Sequence, residues 1–279
     1  MIIAEQKLQQ HNVELFLMST FAMHVAKTGL NSQQIKMQVI ANNLANVNTT
    51  GFKSDRTNFE SLLYQVLRGA GENTSENTSL ASGLSVGTGT RLLNTTKLHS
   101  QGSLINTGNS LDLSVEGDGL FQVLMPDGKI GYTRNGAFMR NAEGTVVTAS
   151  GYALQPEIQI PADAATITVS SDGIVTVQQP GAVDAQEVGQ ITLADFPNRQ
   201  GLQPNGESML IETPASGAPI VANPFEEGMG RLVQGSLESS NVNVVQELVD
   251  MIETQRAYEV SSKTITSVDE MMRFIAQNI

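Results

Sequence analysis

The 279-residue chain has no cysteine, no tryptophan and only three histidines, and just 16% of its residues are charged. Without cysteine there is no disulfide, no thiolate nucleophile and no zinc ribbon. His11, His24 and His99 are scattered, without the spacing of metal ligands. Cations are scarce too: 16 Lys and Arg stand against 28 Asp and Glu, a formal net charge of −12. Such a chain lacks the clustered cations that displace counterions from phosphate, which argues against nucleic-acid binding. No uninterrupted apolar run reaches the roughly 18 residues of a membrane-spanning helix. Apolar residues nonetheless make up 40% of the chain, too many for a disordered polyelectrolyte.

Motifs that carry chemistry are also thin. Gly87-Thr88-Gly89-Thr90 lacks the later glycines and the Lys-Ser/Thr of a phosphate loop. Glu116-Gly117-Asp118-Gly119 lacks the alternating carboxylates of a calcium loop and reads as a turn between strands. Asp127 and Asp172 precede glycine in turns, where Asp serves conformation rather than catalysis. We therefore assign no catalytic residue, no metal ligand and no cofactor, and do not read the chain as an enzyme.

What is present is periodicity, unevenly distributed. Residues 1–68 carry six basic and four acidic side chains, a balance of +2; residues 69–240 balance at −11 and residues 241–279 at −3. Val13 to Met18 is apolar, but it holds Glu14 and no small-residue cleavage site follows, so residues 1–17 read as a leader from a mis-assigned start, with Met18 or Met23 the first residue. From Met23 onward, Ala26, Leu30, Gln33, Met37, Ile40, Leu44 and Val47 follow alternating three- and four-residue steps. This predicts a helix of about 37 Å with one apolar seam. The run Asn42 to Gly51 ends it, because Asn competes for backbone hydrogen bonds and Gly tolerates a left-handed cap. At the other end Val244, Met251, Tyr258, Ile265, Met272 and Ile279 stand seven apart, Leu248 lies on the partner row, and neither Gly nor Pro occurs from Asn241 to Ile279. A helix that long needs a surface to cover its stripe, and the N-terminal seam is the other long one in the chain.

Between the ends the period becomes two. Leu111–Val115, Leu120–Leu124, Ile130–Arg134, Thr166–Val169 and Ile174–Val177 read as strands, and Pro126-Asp127-Gly128, Asn135-Gly136 and Asp172-Gly173 as turns, Asn135-Gly136 in particular as a two-residue hairpin turn. Residues 111–210 are thus expected to form an antiparallel β domain. Tyr64 to Gly89, rich in Gly, Ser, Thr and Asn, reads as an extended connector. The expected fold class is α+β: discontinuous terminal helices (18–50 and 239–279) pairing as a coiled-coil-like layer, connector segments (51–110 and 211–238), and the inserted antiparallel β domain.

Two end segments carry a resemblance to a known family. Ala41-Asn42-Asn43-Leu44-Ala45-Asn46-Val47-Asn48-Thr49-Thr50-Gly51-Phe52-Lys53, Ser239 to Val244 and Gln255-Arg256-Ala257-Tyr258-Glu259 resemble the two terminal signatures of the bacterial flagellar rod and hook axial proteins. Glu60 to Gln65, Ser82 to Gly89, Gly102 to Val123 and the length are similar to the distal-rod members of the basal body. The resemblance implies a structural subunit that assembles with copies of itself into a helical tube and transmits torque from motor to hook. It implies proximal rod proteins, the hook protein, the surrounding P and L rings and the type III export apparatus as partners. It also implies a place in the rod across the periplasm, reached without a cleaved signal peptide, and residues 64–88 become a distal-rod-specific region. Carried onto this chain, the assembly residues are Leu30, Met37, Ile40, Asn42, Asn43, Leu44, Asn46, Val47, Gly51 and Phe52 at the N-terminus. At the C-terminus they are Val244, Leu248, Met251, Tyr258, Ile265 and Met272. The alternatives are another rod or hook subunit, or a secreted β-rich binding module with helical oligomerisation ends.

Overall fold

The structure, a computed structural model, describes residues 2–71, 73–75, 78–79, 81–181 and 185–277; the side chains of 2–19, 73–75, 78–79, 275 and 276 lie outside that description. The C-terminal seam position Ile279 therefore falls outside it. The fold is α+β. Two long helices, α1 (Ile2–Ala45) and α2 (Val244–Gln277), bracket an antiparallel β-rich middle. Neither has a stretch long and apolar enough to cross a membrane among the described residues.

The chain divides into two compact units. One comprises residues 1–42, 55–96 and 245–279; the other comprises residues 43–54 and 97–244. Within the first, α2 turns one stripe inward. Met251, Tyr258, Ile265 and Met272 are half-buried, and Thr254 and Val268 between them are buried. Thr254 can occupy such a place because its hydroxyl donates to the Asp250 carbonyl one turn back, at 2.6 Å. On α1 the inward residues include Ser32 and Ile40. Gly29 lies on the α2 side of α1, where a Cβ would stand 3.8 Å from Ser261 Oγ. The opposite face of α2 leaves Val245, Val249, Ile252, Val260, Met271 and Phe274 exposed.

The rest of this unit is a β ribbon. Asp55–Ser61 pairs with Thr90–Lys97, and Tyr64–Arg68 runs antiparallel to Leu84–Gly87. Its base is fixed to α1: Thr28 Oγ1 accepts the Thr90 N–H at 3.4 Å, and the Ser32 and Thr90 hydroxyls lie 3.2 Å apart. Its outer part keeps Leu63 (87% exposed), Tyr64, Val66, Leu67 and Leu84 in solvent.

The second unit is built on the strand Leu120–Leu124. It pairs antiparallel with Ile130–Thr133, Ala153–Gln155 and Leu193–Asp195. Met209–Ile211 extends the sheet beside Ile130–Thr133, and Ile220–Ala222 beside Leu193–Asp195, so the sheet continues past residue 210. Both faces of the central strand are covered from Leu120 to Val123, so that even Gln122 is buried, and only Leu124 at its end is exposed. Phe121 and Val123 enter a core with Val115, Phe138, Leu154 and Ile158, whereas Leu120 packs with Tyr132, Phe196, Leu202 and Leu210. An edge-to-face aromatic pair anchors each cluster, Phe121 with Phe138 at 5.2 Å and Tyr132 with Phe196 at 4.7 Å. Thr166–Val169, Ile174–Gln178 and Gln186–Gln190 form a separate antiparallel sheet.

Asn135-Gly136 departs from the expected hairpin. Ile130–Thr133 pairs with 120–124 and 209–211, while Phe138–Arg140 pairs with Val146–Thr148, so the strands flanking the turn do not pair with each other. Asn and Gly serve other needs here. Asn135 Oδ1 accepts the Ala137 N–H at 3.1 Å, and a Cβ on residue 136 would sit 1.6 Å from the Leu113 carbonyl oxygen. Gly136 lets two backbones touch.

Candidate functional site

The N-terminal signature leaves α1 through a ladder of tight turns. Asn46 N–H donates to the Asn43 carbonyl at 3.1 Å, Thr49 N–H to Asn46 at 3.2 Å and Phe52 N–H to Thr49 at 3.3 Å. Gly51 then takes φ +69°, with its N–H donating to the Glu238 carbonyl at 2.8 Å. A Cβ there would lie 2.5 Å from Asn135 N and 2.7 Å from the Arg134 carbonyl carbon. Thr50 completes this seat by donating its hydroxyl to Asn135 Oδ1 at 3.0 Å.

The C-terminal signature meets this segment. Asn241 Oδ1 accepts the Ser54 N–H at 2.8 Å, and the Asn241 N–H donates to the Phe52 carbonyl at 3.4 Å. The Asn241 amide nitrogen donates to the Leu98 carbonyl at 2.8 Å and the Ser100 carbonyl at 3.1 Å. One asparagine thus joins three stretches of chain. The segments through which the chain leaves α1 and enters α2 are hydrogen-bonded to each other, although almost the whole β unit lies between them in sequence.

Beneath this joint is a buried ionic cluster. The Glu238 side chain is fully buried; Lys53 Nζ lies 2.5 Å from its Oε1, Arg134 Nε donates to its Oε2, and the Gly102 N–H donates to Oε1 at 2.8 Å. Lys53 also donates to the Ser100 carbonyl at 2.7 Å. The rest of the Arg134 guanidinium is spent on the carbonyls of Val115 (2.7 Å), Gly117 (2.6 Å) and Gly119. Burial alone pushes the Glu238 carboxyl up, but Arg134, Lys53 and the Gly102 N–H together hold it below its ordinary value. Burial also draws the Lys53 ammonium down, against the pull of Glu238. Two cations and one N–H on a single carboxylate meet the condition under which a buried charge is tolerated.

These contacts account for Glu116-Gly117-Asp118-Gly119. It is a turn whose carbonyls are clamped by Arg134, and its carboxylates are engaged, Asp118 by Arg199 at 2.6 Å and Glu116 by Arg231 at 2.7 Å. Gly83-Leu84-Ser85-Val86-Gly87 has the spacing of a nucleophile elbow. Ser85 nonetheless lies within a strand, opposite Val66, not on a strand-to-helix turn.

The sixteen residues named from the sequence separate into two groups. Leu30, Met37, Ile40 and Asn42, with Leu248, Met251, Tyr258, Ile265 and Met272, belong to the helical unit. Asn43, Leu44, Asn46, Val47, Gly51, Phe52 and Val244 belong to the β unit. Ile40, Asn43 and Gly51 are buried, Asn42, Val244 and Leu248 are exposed, and the remainder are half-buried. Phe52 lies under Lys97, whose Nζ stands 5.3 Å from the ring centroid. Sequence reasoning did not single out Arg134, Glu238 or Asn241. Asn241 lay within a quoted motif, whereas nothing local to Arg134 or Glu238 marks them as partners.

Comparison with known proteins decides the family. Residues 23–53 match the flagella basal body rod protein model, 114–177 the flagellar hook protein FlgE/F/G D1 domain and 233–278 the flagellar basal body rod FlgEFG protein C-terminal model. The flagellar basal-body rod protein FlgG of Buchnera aphidicola subsp. Schizaphis graminum is 49% identical over 256 residues, spanning 92% of this chain and 98% of that protein. The chain belongs to the FlgG family. FlgG of Agrobacterium fabrum is 44% identical, covering 92% of this chain and 99% of its own, and FlgG of Bacillus subtilis is 38% identical, covering 88% and 94%. Of the joint described above, Gly51 to Lys53 lie in the first matched segment and Glu238 and Asn241 in the last, whereas Ser54, Leu98 and Ser100 lie outside the matched segments.

Proposed function

We propose that this FlgG-family chain is a structural subunit of the distal rod of the flagellar basal body, polymerising with copies of itself into a helical tube that carries torque from motor to hook. The observation that supports this best is the exposed apolar face of α2: Val249, Ile252, Val260 and Met271 lie opposite the half-buried stripe and are 45–66% exposed. Burying that face against neighbouring copies is favourable, at about 25 cal/mol per Å², and repeated non-closing contacts give a filament rather than a ring. In this reading α1 and α2 pair as a coiled-coil-like inner layer built on the sixteen assembly residues, the connectors and β domain lie outside it, and residues 64–88 are the distal-rod-specific region. The partners are proximal rod proteins, the hook protein, the P and L rings and the type III export apparatus, and the protein reaches the rod across the periplasm without a cleaved signal peptide. It has no enzymatic role.

Deleting the gene and complementing it tests the reading. Swimming should be lost and restored, and isolated basal bodies should contain the protein as an ordered polymer between motor and hook. Basal bodies that carry a complete rod in the deletion strain would overturn it.

A further inference from the structure

His99 lies inside the joint and takes no part in its bonding scheme. Its neighbours in sequence do: Leu98 N–H donates to the Ser54 carbonyl at 2.9 Å, and the Ser100 carbonyl accepts from Lys53 and Asn241. His99 Nε2 is buried and makes no hydrogen bond among the described residues. The ring borders a cavity of about 20 Å³, bounded by Lys53, Asp118, Leu120, Arg134 and Arg199, which has room for about one water molecule. On its other side it borders a cleft of about 590 Å³ formed by residues 97–99 and 195–200.

The carboxylates around the ring are already committed. The cations are Lys53, Lys97, Arg134 and Arg199; the anions are Asp118, Asp195 and Glu238. Glu238 is taken by Lys53 and Arg134, and Asp118 and Asp195 by Arg199. A proton on His99 would add a positive charge with every nearby carboxylate committed. Beyond the backbone hydrogen bond that the ring shares with Arg199, the new charge repels Lys53 and Arg199 and competes with Arg199 for Asp118, and both effects loosen the groups that hold the joint.

We infer that His99 is an acid-sensitive lock: with the ring neutral, the segment Gly51–Ser54 stays bonded to Glu238–Asn241, and protonation releases that bond set, loosening the segments that lead into the two terminal helices. Burial first, then Lys53, Arg199 and Lys97, lower the ring's pKa from 6.5 to about 4. The folded value lies below the unfolded one, so the stabilisation is complete above pH 6.5 and is lost as pH falls toward 4.

Hydrogen exchange on the full-length monomer tests this, comparing wild type with His99→Gln at pH 7 and pH 4.5 and correcting for intrinsic exchange. In wild type the amides of Gly51, Ser54 and Asn241 should open roughly fiftyfold more readily at the lower pH, while amides in Leu120–Leu124 change much less. In His99→Gln the acid effect on the three joint amides should largely disappear. Equal acid acceleration in both proteins would overturn the inference. Should His99→Gln fail to fold, an NMR titration of the wild-type imidazole decides: joint protection lost as this ring protonates, well below pH 6.5, supports the lock, and a ring that titrates near 6.5 with the joint amides still protected refutes it.

Discussion

Lys53 and Glu238, 185 residues apart in sequence, meet through a buried Nζ–Oε1 contact of 2.5 Å, and the carboxylate that Lys53 reaches is shared with Arg134. The pair belongs to the two segments that connect the β unit to the helices, so those two segments are fastened to each other by charge. Removing one partner of a buried pair strands the other, at about 3–5 kcal/mol. Lys53→Met should cost about 3 kcal/mol, because Arg134 and the Gly102 N–H remain on Glu238. Arg134→Met should cost more, about 4–5 kcal/mol, since the carbonyls of Val115, Gly117 and Gly119 lose their donor as well. Urea denaturation followed by a probe in the β unit gives the ranking. A smaller loss for Arg134→Met than for Lys53→Met would contradict the assignment of the guanidinium as the hub.

Gly51 and Gly128 share a left-handed backbone, φ +69° and +81°, but differ in what surrounds them. A Cβ on residue 128 meets nothing within 4 Å, whereas one on residue 51 runs into the Arg134 and Asn135 backbone. Gly128→Ala should therefore cost only the conformational term, about 1 kcal/mol. Gly51→Ala adds a backbone collision that no side chain can relieve, for a total of about 3 kcal/mol or more. Thermal melts of the two variants make the comparison directly, and equal losses would show that position 51 is not the tight seat described.

These two cases mark where the sequence was legible. Helical and strand periods are local signals, so the terminal helices and the antiparallel middle could be read from spacing alone, and the Asn-rich run after α1 correctly suggested a chain that turns. Asn135-Gly136 was misread because Asn and Gly signal a hairpin turn and a close backbone approach equally well; the Leu113 carbonyl that decides between them lies 23 residues away. The Arg134–Glu238 contact spans 104 residues, and no local pattern distinguishes a strand Glu bound for burial from one bound for solvent. His99 stands out in the sequence only by its lack of metal-ligand spacing, because its burial beside committed carboxylates exists only once the chain has folded.

The two faces of α2 give the last prediction, which separates folding from assembly. Ile265 is half-buried on the inward stripe, next to buried Val268, whereas Ile252 is 58% exposed on the opposite face. A charge at Ile265 must be desolvated within the monomer itself, so Ile265→Asp should loosen the helical unit by about 2 kcal/mol or more and also abolish polymerisation. A charge at Ile252 stays in water in the monomer, so Ile252→Asp should leave monomer stability within about 0.5 kcal/mol. It becomes costly only when a neighbouring copy covers the face. Circular dichroism melts read the first quantity; sedimentation of polymerised protein and micrographs of rods in a motility assay read the second. An Ile252→Asp protein that folds normally yet builds no rod would identify this face as an assembly surface, and normal rods with normal swimming would remove it from the interface.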